Sequence, residues 1–348
     1  MKYKFKNCTI ILILIMLLFS TTSFANDNID TNENSVEETK LSLYCNSCIL
    51  IEKSTGKVAY EFNSEKRMYP ASTTKILTAI IAVEKCNLSD VVTITSDMTS
   101  RVPPSYTTAY LRPGEQVTVE ELLNCLLIPS ANDAGFALAI HISGSVEEFA
   151  NLMNEKARNL GCKNSNFTNP SGIHDDNHYS TARDMGIIAL YATRYPQITD
   201  IVCKTSYVLH PNKGNIRTFV TTNTLIKPTE KTYYEYANGM KTGYTAPAGA
   251  CVISSAKKDN MEFVAVVLDA PQGDNTVSSY RDLDCKTLFE YGFTHYDEIV
   301  KVDEKAFSFL NNSIATNTTL NIALKIGVVT LSLYFIVVLL CRKKKRKK

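Results

Sequence analysis

The chain has 348 residues, 45% of them hydrophobic, with 37 Lys and Arg against 35 Asp and Glu. That length and hydrophobic fraction allow a sizeable buried core and exclude a mainly disordered polar chain. Both ends read as targeting segments that hold 11 of the basic residues and none of the acidic ones, so the part between them carries 26 basic against 35 acidic residues, a formal charge of −9 that argues against a nucleic-acid partner.

From the N-terminus, Lys2, Lys4 and Lys6 precede the apolar run Ile10 to Phe19, and Ser23-Phe24-Ala25 offers the small residues that a signal peptidase reads. Residues 1–25 are therefore expected to be a secretory signal peptide. Residues 26–42 are acidic, polar and without hydrophobic periodicity, as in a disordered spacer. "CILIEKSTGKVAYEFN" then places two short apolar runs around Ser54-Thr55-Gly56-Lys57, the pattern of a β-hairpin. Ile76, Leu77, Ile80, Ile81 and Val83 predict a largely buried helix, Glu120 to Leu127 an amphipathic one, and Ser145 with Glu148 a capping box before "FANLMNEKARNL". Another helix is expected after Ser180. Beyond Gly239 the pattern turns to strands, "MKTGYT", "ACVISSA" and "EFVAVVLDA", the last two joined by a turn at 257–260, and Val277 to Tyr291 is helical again. This order predicts an α+β, three-layer α/β/α sandwich, with a mostly antiparallel sheet assembled from both ends of a single domain over residues 43–304 and a block of helices between.

Residues 305–321 read as a stalk. The run Ile326 to Cys341 is 16 residues without a charge, and 20 residues if it starts at Ile322 and includes Lys325. At about 1.5 Å per residue the longer count crosses a hydrocarbon core about 30 Å thick, with Lys325 reaching for the interface. Residues 322–341 are thus expected to be a transmembrane helix and the all-basic tail 342–348 to stay in the cytoplasm, which puts the domain outside. Eight cysteines (Cys45, Cys48, Cys86, Cys125, Cys162, Cys203, Cys251, Cys285) would then be exported. Most sit singly in apolar patterns and read as small core residues rather than disulfide partners. Cys45-x-x-Cys48 lacks the second pair or histidine cluster of a zinc site.

The chemistry concentrates in "YPASTTKILTAIIAVEK". Ser72 and Lys75 are three residues apart, so on a helix they share a face, with Ser72 in the first turn where backbone N–H groups have no intrahelical partner. A serine hydroxyl becomes a nucleophile when a base takes its proton, and a lysine is such a base only if burial or a nearby cation keeps it neutral. The S-x-x-K spacing alone is weak, since Ser54 with Lys57 and Ser255 with Lys258 match it in turns. Two further segments single out Ser72. "IPSANDAG" places Ser130-Ala131-Asn132 in a turn before a helix, and "NGMKTGYT" places Lys241-Thr242-Gly243 on a strand, with a glycine where a substrate backbone could approach closely. In this order they form the S-x-x-K, S-D-N and K-T-G signature, with Ala131 in the middle place of the second.

Through these motifs, together with "STGKVAYEFN", "NPSGIHDDNHYSTARDM", "TTNTL" and "YRDLDCKTLFEYGF", the chain from about Cys48 to Phe293 resembles the low-molecular-mass penicillin-binding proteins that act as serine-type D-alanyl-D-alanine carboxypeptidases, peptidase family S11. The resemblance implies a β-lactamase/transpeptidase-like fold and no cofactor or metal. It implies that Ser72 is acylated by the stem peptide of peptidoglycan or by a β-lactam, with Lys75 as base and Ser130 as proton relay. Asn132 would hold the substrate amide, Lys241 would add positive potential, and Thr242, in the Lys241-Thr242-Gly243 segment, would take the terminal carboxylate. Arg281 would sit near that carboxylate or in a surface salt bridge. The oxyanion would be held by the N–H groups of Ser72 and Tyr244. His174 and His178, beside acids in "GIHDDNHYSTARD", are expected to be structural or surface residues.

Two rivals stay open at this point. A class A-like β-lactamase would add a glutamate in an E-x-x-L-N pattern, which occurs here as Glu120 to Asn124 but before Ser130 rather than after it. A non-catalytic wall-binding or sensor protein would keep the fold, yet every residue of the signature is intact. Family members often carry a separate β-rich domain after the catalytic one, and the roughly 30 residues between Phe293 and the apolar run are too few for it.

Overall fold

The computed structural model describes residues 40–273 and 279–300. The expected signal peptide, stalk, transmembrane helix and basic tail, and all but the end of the expected spacer, lie outside the described residues. Among the described residues no helix is long and apolar enough to cross a membrane.

Five strands form one antiparallel sheet: β1 (Ser47–Glu52), β2 (Val58–Phe62), β7 (Ala237–Thr245), β8 (Gly249–Lys258) and β9 (Met261–Ala270), in the order β2-β1-β9-β8-β7. The expected assembly from both ends of the domain is therefore found, with β1 pairing β9 from Ser47 opposite Leu268 to Glu52 opposite Phe263. All six residues of β1 are buried, and the reason is that both faces of the sheet are covered. Side chains alternate along a strand. Ile49 and Ile51 meet Gly186 of helix α6 (Ala182–Ala192), while Leu50 on the other face meets Gly292 of helix α8 (Tyr280–Thr294). At both crossings the helix glycine has no room for a Cβ, which would come within 2.8 Å of Ile51 and 2.9 Å of Leu50. Phe263 packs edge-on to Phe293 beneath α8 at 5.5 Å.

The helical block follows the chain through α1 (Lys75–Lys85), α2 (Ser96–Ser100), α3 (Val119–Leu127), α4 (Asn132–Ser143), α5 (Val146–Asn159), α6 and α7 (Pro196–Val202). Two-stranded ribbons, β3 (Val91–Thr93) with β4 (Gln116–Thr118) and β5 (Ser206–Leu209) with β6 (Arg217–Val220), edge it. Helix α1 runs through the centre and packs on α3, α4, α5 and α6. Its buried face takes in Ile76, Leu77, Ile80 and Ile81, as the periodicity predicts, with Val83 packed at the margin. Sheet, α8 on one face and the helical block on the other make the expected three layers.

One cap is corrected. Ser145 accepts the Glu148 N–H at 3.0 Å, but the return bond from Glu148 that makes a capping box is not among the bonds formed there. The reciprocal box sits at Thr118 and Glu121, where Thr118 Oγ1 accepts the Glu121 N–H at 3.1 Å and Glu121 accepts the Thr118 N–H at 2.7 Å. All eight cysteines are free thiols, six of them buried, with Cys86 half-buried and Cys203 exposed.

Candidate active site

Three segments meet in a cavity of about 570 Å³. The first is a 3-10 turn, Ala71–Thr74, that leads directly into α1. It holds Ser72 half-buried at the cavity wall and Lys75 fully buried one turn on. The turn is fixed by its neighbours: Ala71 adopts φ +47, and Gly172, at φ +73, lies so close that a Cβ there would overlap the Ala71 carbonyl oxygen at 1.8 Å. The second segment is Ser130, also at positive φ (+68), followed by Asn132 as the first residue of α4. The third is β7, an edge strand, which brings Lys241, Thr242, Gly243 and Tyr244 alongside.

The polar contacts of Lys75 decide its chemistry. Its Nζ lies 2.8 Å from Ser72 Oγ, 2.9 Å from Asn132 Oδ1 and 2.8 Å from the Ser171 carbonyl oxygen. A neutral amine has two N–H groups and one lone pair. In that neutral form the two carbonyl oxygens take the N–H groups, which turns the lone pair to the Ser72 hydroxyl so that Ser72 donates to it. Burial, and after it the charge of Lys241, pushes Lys75 well below the usual lysine range, with the Asp133 carboxylate opposing. Burial and then Arg281 bring Lys241 down to about 7.

The structure also places the other expected site residues. Asn132 lines the cavity, but its Oδ1 is committed to Lys75 and one Nδ2 hydrogen goes to the Thr107 carbonyl at 2.8 Å, so it is an anchor for the lysine before it meets any substrate. Ser130 faces the cavity, and among the described residues its hydroxyl enters no side-chain hydrogen bond, with Lys241 donating instead to the Thr242 carbonyl at 2.8 Å. Thr242 Oγ1 pairs with Thr222 Oγ1 at 2.5 Å. Gly243 lines the cavity, yet the room left by its missing side chain is filled by the nucleophile's own turn: a Cβ would stand 2.9 Å from Ser72 N and 3.1 Å from Ala71 Cβ. The missing side chain is therefore required by strand-to-turn packing. Arg281 is mostly buried at the cavity wall, donating to the Gly243 carbonyl at 3.1 Å and pairing with Asp282 at 3.4 Å, so the surface salt bridge is not its setting.

Several contributors were not singled out from the sequence. The Asn169-Pro170-Ser171-Gly172 turn supplies the Ser171 carbonyl to Lys75, and Asn169 Oδ1 holds it by accepting the N–H groups of Ser171, Gly172 and Ile173. Asn-Pro and Ser-Gly are turn signals, and an asparagine bonding the backbone beyond itself is their usual mechanism. Asp133 is buried and accepts the N–H groups of Ala109 and Leu111, which fixes the loop that carries Tyr106 and Thr107 over the cavity. His178 is structural, as expected. Its Nδ1 accepts the Thr168 N–H at 3.1 Å, which leaves Nε2–H to donate to Thr74 Oγ1 at 2.9 Å, and burial lowers it to about 4. His174 is less remote than expected, since it lines the cavity and packs edge-on against Tyr69. Glu120 and Asn124 are not among the lining residues: Asn124, on α3, donates to the Glu120 carbonyl and accepts from Lys204, which follows α7.

A sheet faced by helices on both sides, with a serine at a helix start paired to a buried lysine and flanked by an edge strand, defines the serine acyl-transfer enzymes of the β-lactamase/transpeptidase-like fold. The profile of the D-alanyl-D-alanine carboxypeptidases of peptidase family S11 matches residues 32–272, and the chain belongs to that family. It is 37% identical over 294 residues to the D-alanyl-D-alanine carboxypeptidase DacF of Bacillus subtilis, an alignment covering 83% of this chain and 71% of the relative. The crystal structure of the Streptomyces K15 DD-transpeptidase superposes with a TM-score of 0.68 at 29% identity, covering 74% of this chain and 99% of the other. Penicillin binding protein 5 of Haemophilus influenzae gives a TM-score of 0.66 at 33% identity over 74% and 72% of the two chains.

Proposed function

We propose that this chain is a serine-type D-alanyl-D-alanine carboxypeptidase that trims the terminal D-alanine from peptidoglycan stem pentapeptides. The observation that carries the reading is the Lys75 amine, buried, 2.8 Å from Ser72 Oγ and flanked by two carbonyl acceptors that in the neutral form leave its lone pair for the serine. Ser72 Oγ attacks the penultimate D-alanine carbonyl carbon while Lys75 takes its proton. The oxyanion is received by the N–H groups of Ser72, in the first turn of its 3-10 helix, and of Tyr244 on the edge strand. Ser130 passes a proton to the departing D-alanine nitrogen, the C–N bond breaks, and water then cleaves the Ser72 ester. Thr242 and Arg281 take the substrate's terminal carboxylate, with Lys241 as the positive group behind them and Gly243 letting β7 lie against the turn. Asn132 positions Lys75 and offers its remaining N–H to the substrate amide. No step calls for a metal or cofactor. β-Lactams acylate the same serine.

The sequence supports an exported domain, led by the signal peptide at residues 1–25 and held to the outer face of the cell membrane by the helix at 322–341, with the C-terminus in the cytoplasm. Catalysis at the membrane surface would put the cavity next to growing wall.

The test is the intact mass of the purified chain over time after adding a penicillin, with Ser72→Ala in parallel, followed by D-alanine release from a peptide ending in D-alanyl-D-alanine. A long-lived adduct on the wild type alone, with D-alanine released, is expected. A transient adduct with the drug consumed would move the reading to a β-lactamase, and no adduct would move it to a binding module.

A further inference from the structure

Both helices that carry the signature residues at their N-terminal ends bring a metal-ligating side chain to their C-terminal ends. Helix α1 begins at Lys75 and is capped at its far end by Cys86, and α4 begins at Asn132 and has His141 in its last turn. Asp90 lies in the short loop between α1 and β3. One donor atom from each of Cys86, Asp90 and His141 falls within 4.8 Å of the other two. Zinc at about 2.3 Å from sulfur and about 2.0–2.2 Å from nitrogen and oxygen needs tetrahedral edges of roughly 3.3–3.7 Å. The gap is about 1 Å, within the reach of a side-chain rotation at the exposed His141 and half-buried Asp90.

The frame around these atoms is fixed. The Asp90 carboxylate is oriented by the Asn87 N–H at 2.9 Å and the Asn87 side-chain amide at 3.4 Å, the kind of outer hydrogen bonding that aims a metal ligand. The loop itself is tied to the start of α3, with Val119 N–H on the Asp90 carbonyl at 2.9 Å and Glu120 N–H on the Leu88 carbonyl at 3.0 Å. Cys86 is pinned by its N–H to the Ala82 carbonyl at 3.0 Å. One thiolate, one imidazole and one carboxylate suit zinc and leave a fourth position for water, whereas calcium and magnesium call for more oxygens.

We propose that Cys86, Asp90 and His141 bind one zinc ion that clamps the C-terminal ends of α1 and α4. The 11 residues of α1 put the ion roughly 16 Å along the helix from Lys75. The clamp therefore acts on how the two helices stand relative to each other, and so on how Lys75 meets Asn132, rather than on the reacting atoms. This inference is independent of the reaction proposed above, because it concerns a different set of residues.

The test uses the full chain, reduced and stripped of metal, titrated with cobalt(II) and then with zinc. One equivalent of cobalt should give a thiolate-to-metal absorption band that zinc abolishes, and zinc should raise the melting temperature. Cys86→Ser should lose the band, and Asp90→Asn and His141→Gln should each weaken zinc binding roughly 100-fold or more. Cys203→Ser, which removes the exposed thiol elsewhere, should change nothing. The proposal is overturned if the wild type takes up no metal, if the band survives in Cys86→Ser, or if it disappears only in Cys203→Ser. Because Cys86→Ser and His141→Gln are at partly or fully exposed positions, a melting curve of each apo variant close to that of the apo wild type separates lost binding from lost folding.

Discussion

Lys241→Met tests the electrostatics of the site through stability alone. Lys241 is 1% exposed and is brought from its ordinary 10.5 to about 7, first by burial and then by the Arg281 charge. In the unfolded chain it ionises near its usual value, so between about pH 7 and 10.5 the unfolded state holds the extra proton. Wild-type stability should therefore rise with pH across that window, and the burial penalty is fully present below it. At about 1.36 kcal/mol per pKa unit the penalty near neutral pH is roughly 4–5 kcal/mol. Methionine of similar length removes it, but also removes the donor to the Thr242 carbonyl, a loss of about 1–2 kcal/mol. The variant should thus be more stable than the wild type by roughly 2–4 kcal/mol at pH 7 and slightly less stable above pH 10.5. Relief of Lys75, which the Lys241 charge also depresses, acts in the same direction. Urea unfolding of both proteins at pH 6.5, 8.5 and 10.5 measures the crossing, with penicillin acylation lost in the variant as the sign that a functional group was removed. A stability difference that does not change with pH would show that Lys241 stays charged in the folded protein and would sink the argument.

Gly243→Ala should move the nucleophile's turn by about half an ångström to relieve its 2.9 Å contact with Ser72 N, slowing penicillin acylation about tenfold and costing about 1–3 kcal/mol; unchanged acylation kinetics would refute that packing. Asn132→Ala takes one of two acceptors from the Lys75 amine, so acylation should fall about 100-fold, as stopped-flow with a fluorescent penicillin would read. Only the neutral amine can take the serine proton, so the wild-type acylation rate should drop about tenfold per unit as falling pH protonates Lys75, and burial beside Lys241 should put that drop well below the usual lysine range. His178 is held at about 4. The unfolded state then binds the extra proton between about pH 6.5 and 4, so stability falls as pH drops through that range, by roughly 3 kcal/mol. The part of that slope owed to His178 should vanish in His178→Phe, with equilibrium unfolding at pH 7, 5 and 4 as the measurement.

The elements that could be read from the sequence were those in which local pattern and tertiary packing agree. Ile76, Leu77, Ile80 and Ile81 have helical spacing and are buried along one helix, and "EFVAVVLDA" is an unbroken apolar run because β9 lies in the sheet interior between β1 and β8. Signature residues were legible for a similar reason, since each sits where a helix start or an edge strand fixes it. The pieces that escaped are those whose contribution is made by backbone or by distant fit. The Ser171 carbonyl, one of the two acceptors that keep the lone pair of Lys75 on Ser72, is a backbone atom that any residue type would supply. Sequence shows the turn and not its partner 96 positions away. Gly243 was legible as a close approach, but not what approaches: alternation along β7 gives the facing of a residue, while the turn opposite it is placed by the packing of α1. Ser145 with Glu148 and Thr118 with Glu121 both fit the spacing of a capping box, and only the second closes both bonds. Cys86, Asp90 and His141 are the extreme case, for His141 is 51 residues beyond Asp90 and nothing local joins them. They meet because α1 and α4 pack side by side, with both N-terminal ends at the cavity. The arrangement that gathers Ser72, Lys75, Ser130 and Asn132 at one end of the helix pair necessarily gathers the residues of the opposite ends as well.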